Sequence, residues 1–234
     1  MQRVFITGAN RGIGLALTHQ YLERGAMVFA ACREPQNATA LKQLADESGE
    51  RLEIIALDIT DAAAIAASAD RVAQQVDGLD VLINNAGIFP RTGASQTFGQ
   101  LEHDAMTGVL HVNAVSPVIV TQALAGLLRR GENPRVMMVS SIMGSIARLG
   151  AAGSYSYRMS KAAMNMAARL LSFELAPEVT TVTVHPGSVK TDMGGSGSAI
   201  TPQESASALI KMLDGLTPAD NGKYLNYTGD PLPW

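Results

Sequence analysis

Cysteine is nearly missing from this chain: Cys32 is the only one in 234 residues. A lone cysteine excludes an intramolecular disulfide framework and is compatible with a reducing compartment. Charge is also sparse, at 17%, and the net value of −3 provides no electrostatic footprint for nucleic acid or for an anionic membrane. The four histidines, His19, His103, His111 and His185, fall in no metal-ligand spacing, so no metal is expected. No apolar run reads as long enough to span a bilayer. An apolar strand opens at Arg3 and leaves no room for a signal peptide ahead of it, so a cytoplasmic location is the expectation. Linkers and repeats are lacking too.

What remains is a chain with 47% hydrophobic residues and 22 glycines, enough to build one α/β domain over residues 1–234. Strand and helix patterns alternate from end to end. Arg3 to Thr7 reads as a buried strand, Gly8-Ala9-Asn10-Arg11-Gly12-Ile13-Gly14 as a tight turn, and Ile13 to about Arg24 as an amphipathic helix. That unit opens a dinucleotide fold, in which glycines let backbone N–H groups approach a pyrophosphate at the positive end of a helix. The spacing is Gly-x-x-x-Gly-x-Gly rather than the Gly-x-Gly-x-x-Gly form, so the turn is suggestive only with its neighbours.

Met27 to Cys32 forms the second strand, and Arg33 follows it. A site for NAD(H) presents Asp or Glu here for the ribose 2′-hydroxyl, and the first acid is Glu34. Arg33, with Arg11 from the turn, suits a 2′-phosphate, which favours NADP(H) over NAD(H). The plainer reading is two solvated arginines. Strand three, Leu52 to Leu57, runs into Asp58-Ile59-Thr60-Asp61, where Asp58 is placed for an adenine amine and Thr60 or Asp61 for capping the next helix, Ala62 to Val76. Strand four, Val81 to Ile83, ends in Asn84-Asn85-Ala86-Gly87, good backbone-binding chemistry where a cofactor crosses a parallel sheet.

A long helix is expected from about Leu101 to Arg129, bent at Pro117 and carrying Asn113 on an apolar stretch. Strand five, Arg135 to Val139, delivers Ser140-Ser141. If the region after Ser156 is helical, Tyr157 and Lys161 stand one turn apart on one face. A neighbouring cation favours tyrosinate, so Lys161 is expected to lower the Tyr157 pKa, while the Ser141 hydroxyl holds a carbonyl oxygen. Tyr155 lies six residues from Lys161 and faces away. Taken alone, the pair is equally well a surface pair. Thr180 to Val184 is strand six, followed by His185-Pro186-Gly187-Ser188-Val189-Lys190-Thr191. The Gly/Ser-rich stretch from Gly194 to Thr201 is expected to be mobile and near the substrate. Pro202 to Leu213 is a last helix and Lys223 to Tyr227 a last strand. The fold class is α/β: a doubly wound Rossmann-like parallel sheet of about seven strands with helices on both faces.

In this order, Thr7-Gly8-x-x-x-Gly12-Ile13-Gly14, Asp58, Asn84-Asn85-Ala86-Gly87, Asn113, Ser141, Tyr157-x-x-x-Lys161 and Pro186-Gly187 resemble a short-chain dehydrogenase/reductase of the compact type. Ser140 to Ile146, Tyr157 to Lys161, Lys190 to Gly195 and the end from Asn221 resemble sniffer-type carbonyl reductases and C-signal-type proteins more closely. The resemblance implies hydride transfer between the nicotinamide of NADP(H) and a small carbonyl or alcohol. It makes Tyr157 the general acid, Ser141 the carbonyl-orienting group, Lys161 the group that lowers the tyrosine pKa and binds the nicotinamide ribose, and Asn113 the holder of a relay water. Cofactor contacts fall on Gly8, Asn10, Arg11, Gly12, Ile13, Gly14, Arg33, Asp58, Ile59, Asn85, Ala86, Gly87, Pro186, Gly187, Val189 and Thr191. The family serine usually stands thirteen residues before the tyrosine, which is Gly144 here; Ser141 implies three extra residues, with Ser145 a lesser candidate. Homodimers or homotetramers are implied. A cofactor-binding signalling protein of the same fold is the alternative, and a sugar-nucleotide epimerase is disfavoured because no second substrate domain follows.

Overall fold

The computed structural model describes residues 1–90, 93–195 and 197–234. Seven strands form one wholly parallel sheet: β1 (Arg3–Thr7), β2 (Met27–Cys32), β3 (Leu52–Ala56), β4 (Val81–Asn84), β5 (Arg135–Val139), β6 (Thr180–His185) and β7 (Tyr224–Asn226), in the order β3-β2-β1-β4-β5-β6-β7. The inner strands are apolar runs rather than alternating ones because helices cover both faces. On one face α1 (Gly12–Glu23), α2 (Thr39–Ser48) and α7 (Pro202–Asp214) close a core around Val4, Ile6, Leu17, Val28 and Leu209. On the other, α3 (Ala62–Ala73), α5 (Ser116–Leu128) and α6 (Tyr155–Glu174) cover Phe5, Phe29, Leu82, Leu124 and Met164. The expected fold class holds.

The order in which successive strands are added reverses between β1 and β4, which are parallel hydrogen-bonded neighbours (Phe5 opposite Leu82). Ligands of such sheets bind beyond the carboxyl ends of the strands at that switch point. The turns after β1, β4, β5 and β6 all open there. Helix starts follow their local chemistry. Asp61, not Thr60, caps α3 by accepting from the N–H groups of Ala63 and Ala64, and Thr201 and Glu204 form a reciprocal capping box at α7.

Three expectations need correction. Helix α2 has no counterpart among them: it is largely polar, and its signal is the spacing Leu41, Leu44, Ala45, of which only Leu41 is fully buried. The long central helix is α4 (His103–Leu110), a π-helical turn (His111–Val115) and α5 in sequence. Pro117 has no N–H to offer the carbonyl of Val112 or Asn113, and the Ser116 hydroxyl instead donates to His111 O at 3.0 Å. The apolar-run expectation also fails, because His103–Leu128 forms 26 continuous helical residues containing an 18-residue stretch of mean hydropathy 1.4, long and apolar enough to cross a bilayer by that measure. Here it packs against α3, α6 and the sheet as a core helix does.

Candidate active site

The turn after β1 is built for close approach. Gly8 and Gly12 take φ of 66° and 54°, a region glycine enters without strain. A Cβ on Gly14 would lie 2.2 Å from the Gly8 carbonyl oxygen, so only glycine lets α1 descend onto the turn. The N-cap, Arg11, makes no side-chain cap bond, which leaves the leading N–H groups of α1 available to an anion. Asn10 and Ile13 are half-buried along the same turn. This cradle fits a dinucleotide pyrophosphate.

The end of β4 locks the cradle. Asn85 Nδ2 donates to Thr7 O at 2.9 Å and Gly8 O at 3.1 Å, while Thr7 Oγ1 accepts from the N–H groups of Asn85 and Ala86, each at 3.0 Å. Asn85 and Ala86 thus shape the turn as well as border it. Asp58 accepts from the Thr60 N–H at 2.9 Å and the Thr60 hydroxyl at 2.7 Å, and these bonds hold its carboxyl below its usual range. Ile59 beside it is buried in the core. Arg33 is exposed and forms no ion pair among the described residues, whereas Arg11 Nη1 bonds Asp192 Oδ2 at 2.7 Å across the cleft. Glu34, the acid that could favour a free 2′-hydroxyl, accepts from Asn37 Nδ2 at 2.7 Å.

Tyr157 and Lys161 occupy one face of α6 and are both buried, with the Lys161 Nζ 5.8 Å from the centre of the Tyr157 ring. Tyr155 instead stacks on Phe98. Burial pushes the Tyr157 phenol up, and a hydrogen bond with the Ser141 side chain draws it partly back. Lys161 stands beside that ring. Its ammonium donates to Val139 O at 2.9 Å, and desolvation brings its own pKa down from 10.5 to about 8.

Asn113 is fully buried on the π turn. It accepts from Ile88 N at 2.8 Å and donates to Ile88 O at 2.8 Å and Ser160 Oγ at 3.0 Å. Its side chain is therefore engaged by protein. Gly87 lies between: a Cβ there would come 3.1 Å from Asn113 Oδ1 and 3.6 Å from Lys161 Nζ.

The choice between serines is resolved by their partners. Ser145 donates to Pro233 O at 2.7 Å and Trp234 O at 3.1 Å, so it faces the chain's last residues. Gly144 packs against Lys161, where a Cβ would meet the backbone at 2.8 Å. Ser141 is the serine beside Tyr157. After it comes a single 3-10 turn, Ile142–Gly144, capped by Ser141 Oγ accepting from Met143 N.

After β6, Gly187 takes φ of 91° where a Cβ would strike Ile200 at 2.7 Å. Pro186 O accepts from the Ser205 hydroxyl at 2.7 Å. Val189 pairs with Ile200, and Thr191 Oγ1 accepts from Gly194 N at 3.0 Å. Those bonds link the start of the Gly/Ser-rich segment to the turn after β6 and its end to Val189; Ser196 within it lies outside the described residues. Thr191 also packs on the glycine turn, its methyl 3.2 Å from a Cβ placed on Gly12.

The family model for short chain dehydrogenases matches residues 2–199. The chain belongs to the short chain dehydrogenase family. It is 42% identical to the C-signal of Myxococcus xanthus over 157 residues, 67% of this chain and 93% of that one. The carbonyl reductase Sniffer of D. melanogaster superposes with a TM-score of 0.93 at 31% identity, covering 100% of both chains. An NADPH-bound carbonyl reductase from chicken fatty liver gives 0.92 at 35%, covering 100% of this chain and 99% of that one.

In this short chain dehydrogenase the reading of single residues missed several neighbours of the site. Phe89 lies 4.4 Å from Tyr157, centroid to centroid. Asn165 accepts from Ser140 Oγ at 2.6 Å and donates to Gly144 O at 3.2 Å. The i to i+4 spacing from Lys161 to Asn165 was the available signal.

Burying Lys161 costs the fold about 3 kcal/mol at neutral pH, from the size of its shift. The unfolded chain keeps its proton to about pH 10.5 and the folded chain to about 8, so stability rises with pH across that window. Lys161→Met removes both the penalty and the slope. Thermal unfolding should show the variant more stable by about 1–2 kcal/mol at pH 7, with an advantage over wild type that shrinks as pH rises from 8 to 10.5. A less stable variant would refute the account.

Proposed function

We propose that this chain is an NADP(H)-dependent oxidoreductase that reduces aldehyde and ketone carbonyls, or oxidises the corresponding alcohols, with Tyr157 as the proton donor in reduction. The observation that carries it is the buried Tyr157 phenol beside the Ser141 hydroxyl and one turn from Lys161, at the carboxyl edge of the sheet that bears the glycine cradle. The nicotinamide, when bound, supplies or accepts the hydride. Residues 1–234 act as one catalytic unit, since strands from the whole chain share one sheet.

Each residue has a part. The turn Gly8, Asn10, Arg11, Gly12, Ile13 and Gly14 holds pyrophosphate, and Arg33 and Arg11 take the 2′-phosphate by charge-assisted bonds. Asp58 and Ile59 border the adenine. Asn85, Ala86 and Gly87 line the crossing, and Pro186, Gly187, Val189 and Thr191 seat the carboxamide. Ser141 donates to the substrate oxygen and Tyr157 delivers the proton to that same oxygen. Lys161 holds the nicotinamide ribose, and Asn113 fixes the π turn behind it. The free, buried Cys32 suits a cytoplasmic, reducing compartment.

A second copy of the chain is the partner that α6 fits. Met159, Met166, Leu170 and Phe173 form one exposed apolar stripe on that helix, with Val115 exposed on the π turn. Sedimentation should give a homodimer or homotetramer for wild type, and Phe173→Glu should shift it toward monomer; a monomeric wild type would remove this part of the reading.

The C-signal relative supports a signalling protein as a second reading. Turnover decides between them. Tyr157→Phe should lower NADPH-dependent reduction of nitrobenzaldehyde or menadione by at least about 100-fold and leave NADPH affinity nearly unchanged. Wild type that binds NADPH but reduces neither probe would move signalling ahead. For the cofactor, Arg33→Ala should weaken NADPH binding by about tenfold and leave NADH binding almost as it was. Equal losses on both would remove the 2′-phosphate assignment.

A further inference from the structure

Ser141 lies two residues beyond β5 and caps a short turn, so its hydroxyl is only as well aimed as that turn is held. The turn is clamped by β7. Tyr224, 2% exposed, donates its hydroxyl to Ser141 O at 2.6 Å. That carbonyl also accepts from Gly144 N at 2.8 Å, which fills both lone pairs.

Tyr224 is itself braced by the residues that follow it. Leu232 N donates to Tyr224 O at 2.8 Å, and the Trp234 ring stacks on Tyr224 with centroids 5.2 Å apart. The same segment closes the far end of the turn: Ser145 Oγ donates to Pro233 O and Trp234 O, and Ala147 N donates to Trp234 O at 2.9 Å. One strand and its extension thus hold residues 141 and 145, the two ends of the turn. None of these hydrogen bonds or ring contacts involves the glycine cradle, Gly8 to Gly14.

We propose that Tyr224, braced by Trp234, is a positioning residue that aims the Ser141 hydroxyl, and that it governs turnover without contributing to dinucleotide binding. The inference rests on reading Ser141 as the carbonyl-orienting group. Misplacing such a group by a fraction of its contact distance costs rate rather than affinity for a distant ligand.

The test is a double-mutant cycle between Tyr224→Phe and Ser141→Ala, with menadione and NADPH as probes. Tyr224→Phe should lower kcat about five- to tenfold, the worth of one buried hydrogen bond, with NADPH affinity unchanged. In the Ser141→Ala background it should do nothing further, because the group it aims is gone. Trp234→Ala should act in the same direction and Trp234→Phe should restore most of the rate. Wild-type kcat in Tyr224→Phe, or losses that multiply in the double variant, would overturn the proposal while leaving the carbonyl-reductase reading intact. Should wild type reduce neither probe, the strut is decided by amide exchange. Faster exchange at Met143 and Gly144 in Tyr224→Phe supports it, and unchanged exchange there overturns it.

Discussion

Keeping an ammonium dry beneath a phenol is the constraint on which the rest of this site depends. Lys161 is 4% exposed and has one strong oxygen partner, the carbonyl of Val139. Its surroundings follow from that need. A side chain at Gly87 would press on Asn113 Oδ1 and come into van der Waals contact with Lys161 Nζ. Gly144 lets the turn after β5 lie against the Lys161 backbone. Asn113 is carried on a π turn and held by Ile88 and Ser160.

A second dependency joins the two halves of the sheet. Asn85 bonds the carbonyls of Thr7 and Gly8, and Thr7 returns two bonds to the β4 end. The cradle at β1 and the lysine at α6 are therefore fixed relative to one another through β4, which neighbours both β1 and β5. Across the cleft, Arg11 and Asp192 pair while both remain well exposed. Such a pair contributes little stability.

The amino-acid sequence by itself determined what is local. Apolar strand runs, the glycine turn, the start of α7 at Thr201 and the pairing of Tyr157 with Lys161 on one helix face all follow from spacing and backbone preference. The polar helix α2 escaped because its buried face is narrow. Only the tertiary structure decided what depends on distant neighbours. Ser141 was separated from Ser145 by contacts to residues 233 and 234, almost ninety positions away in the chain. Lys161, placed beside Tyr157 by the helix, is also held by Val139 O, an oxygen that another strand brings to it. Local spacing fixes which side chains share a face. Desolvation, and the hydrogen bonds it makes necessary, are set by what the rest of the chain brings against that face.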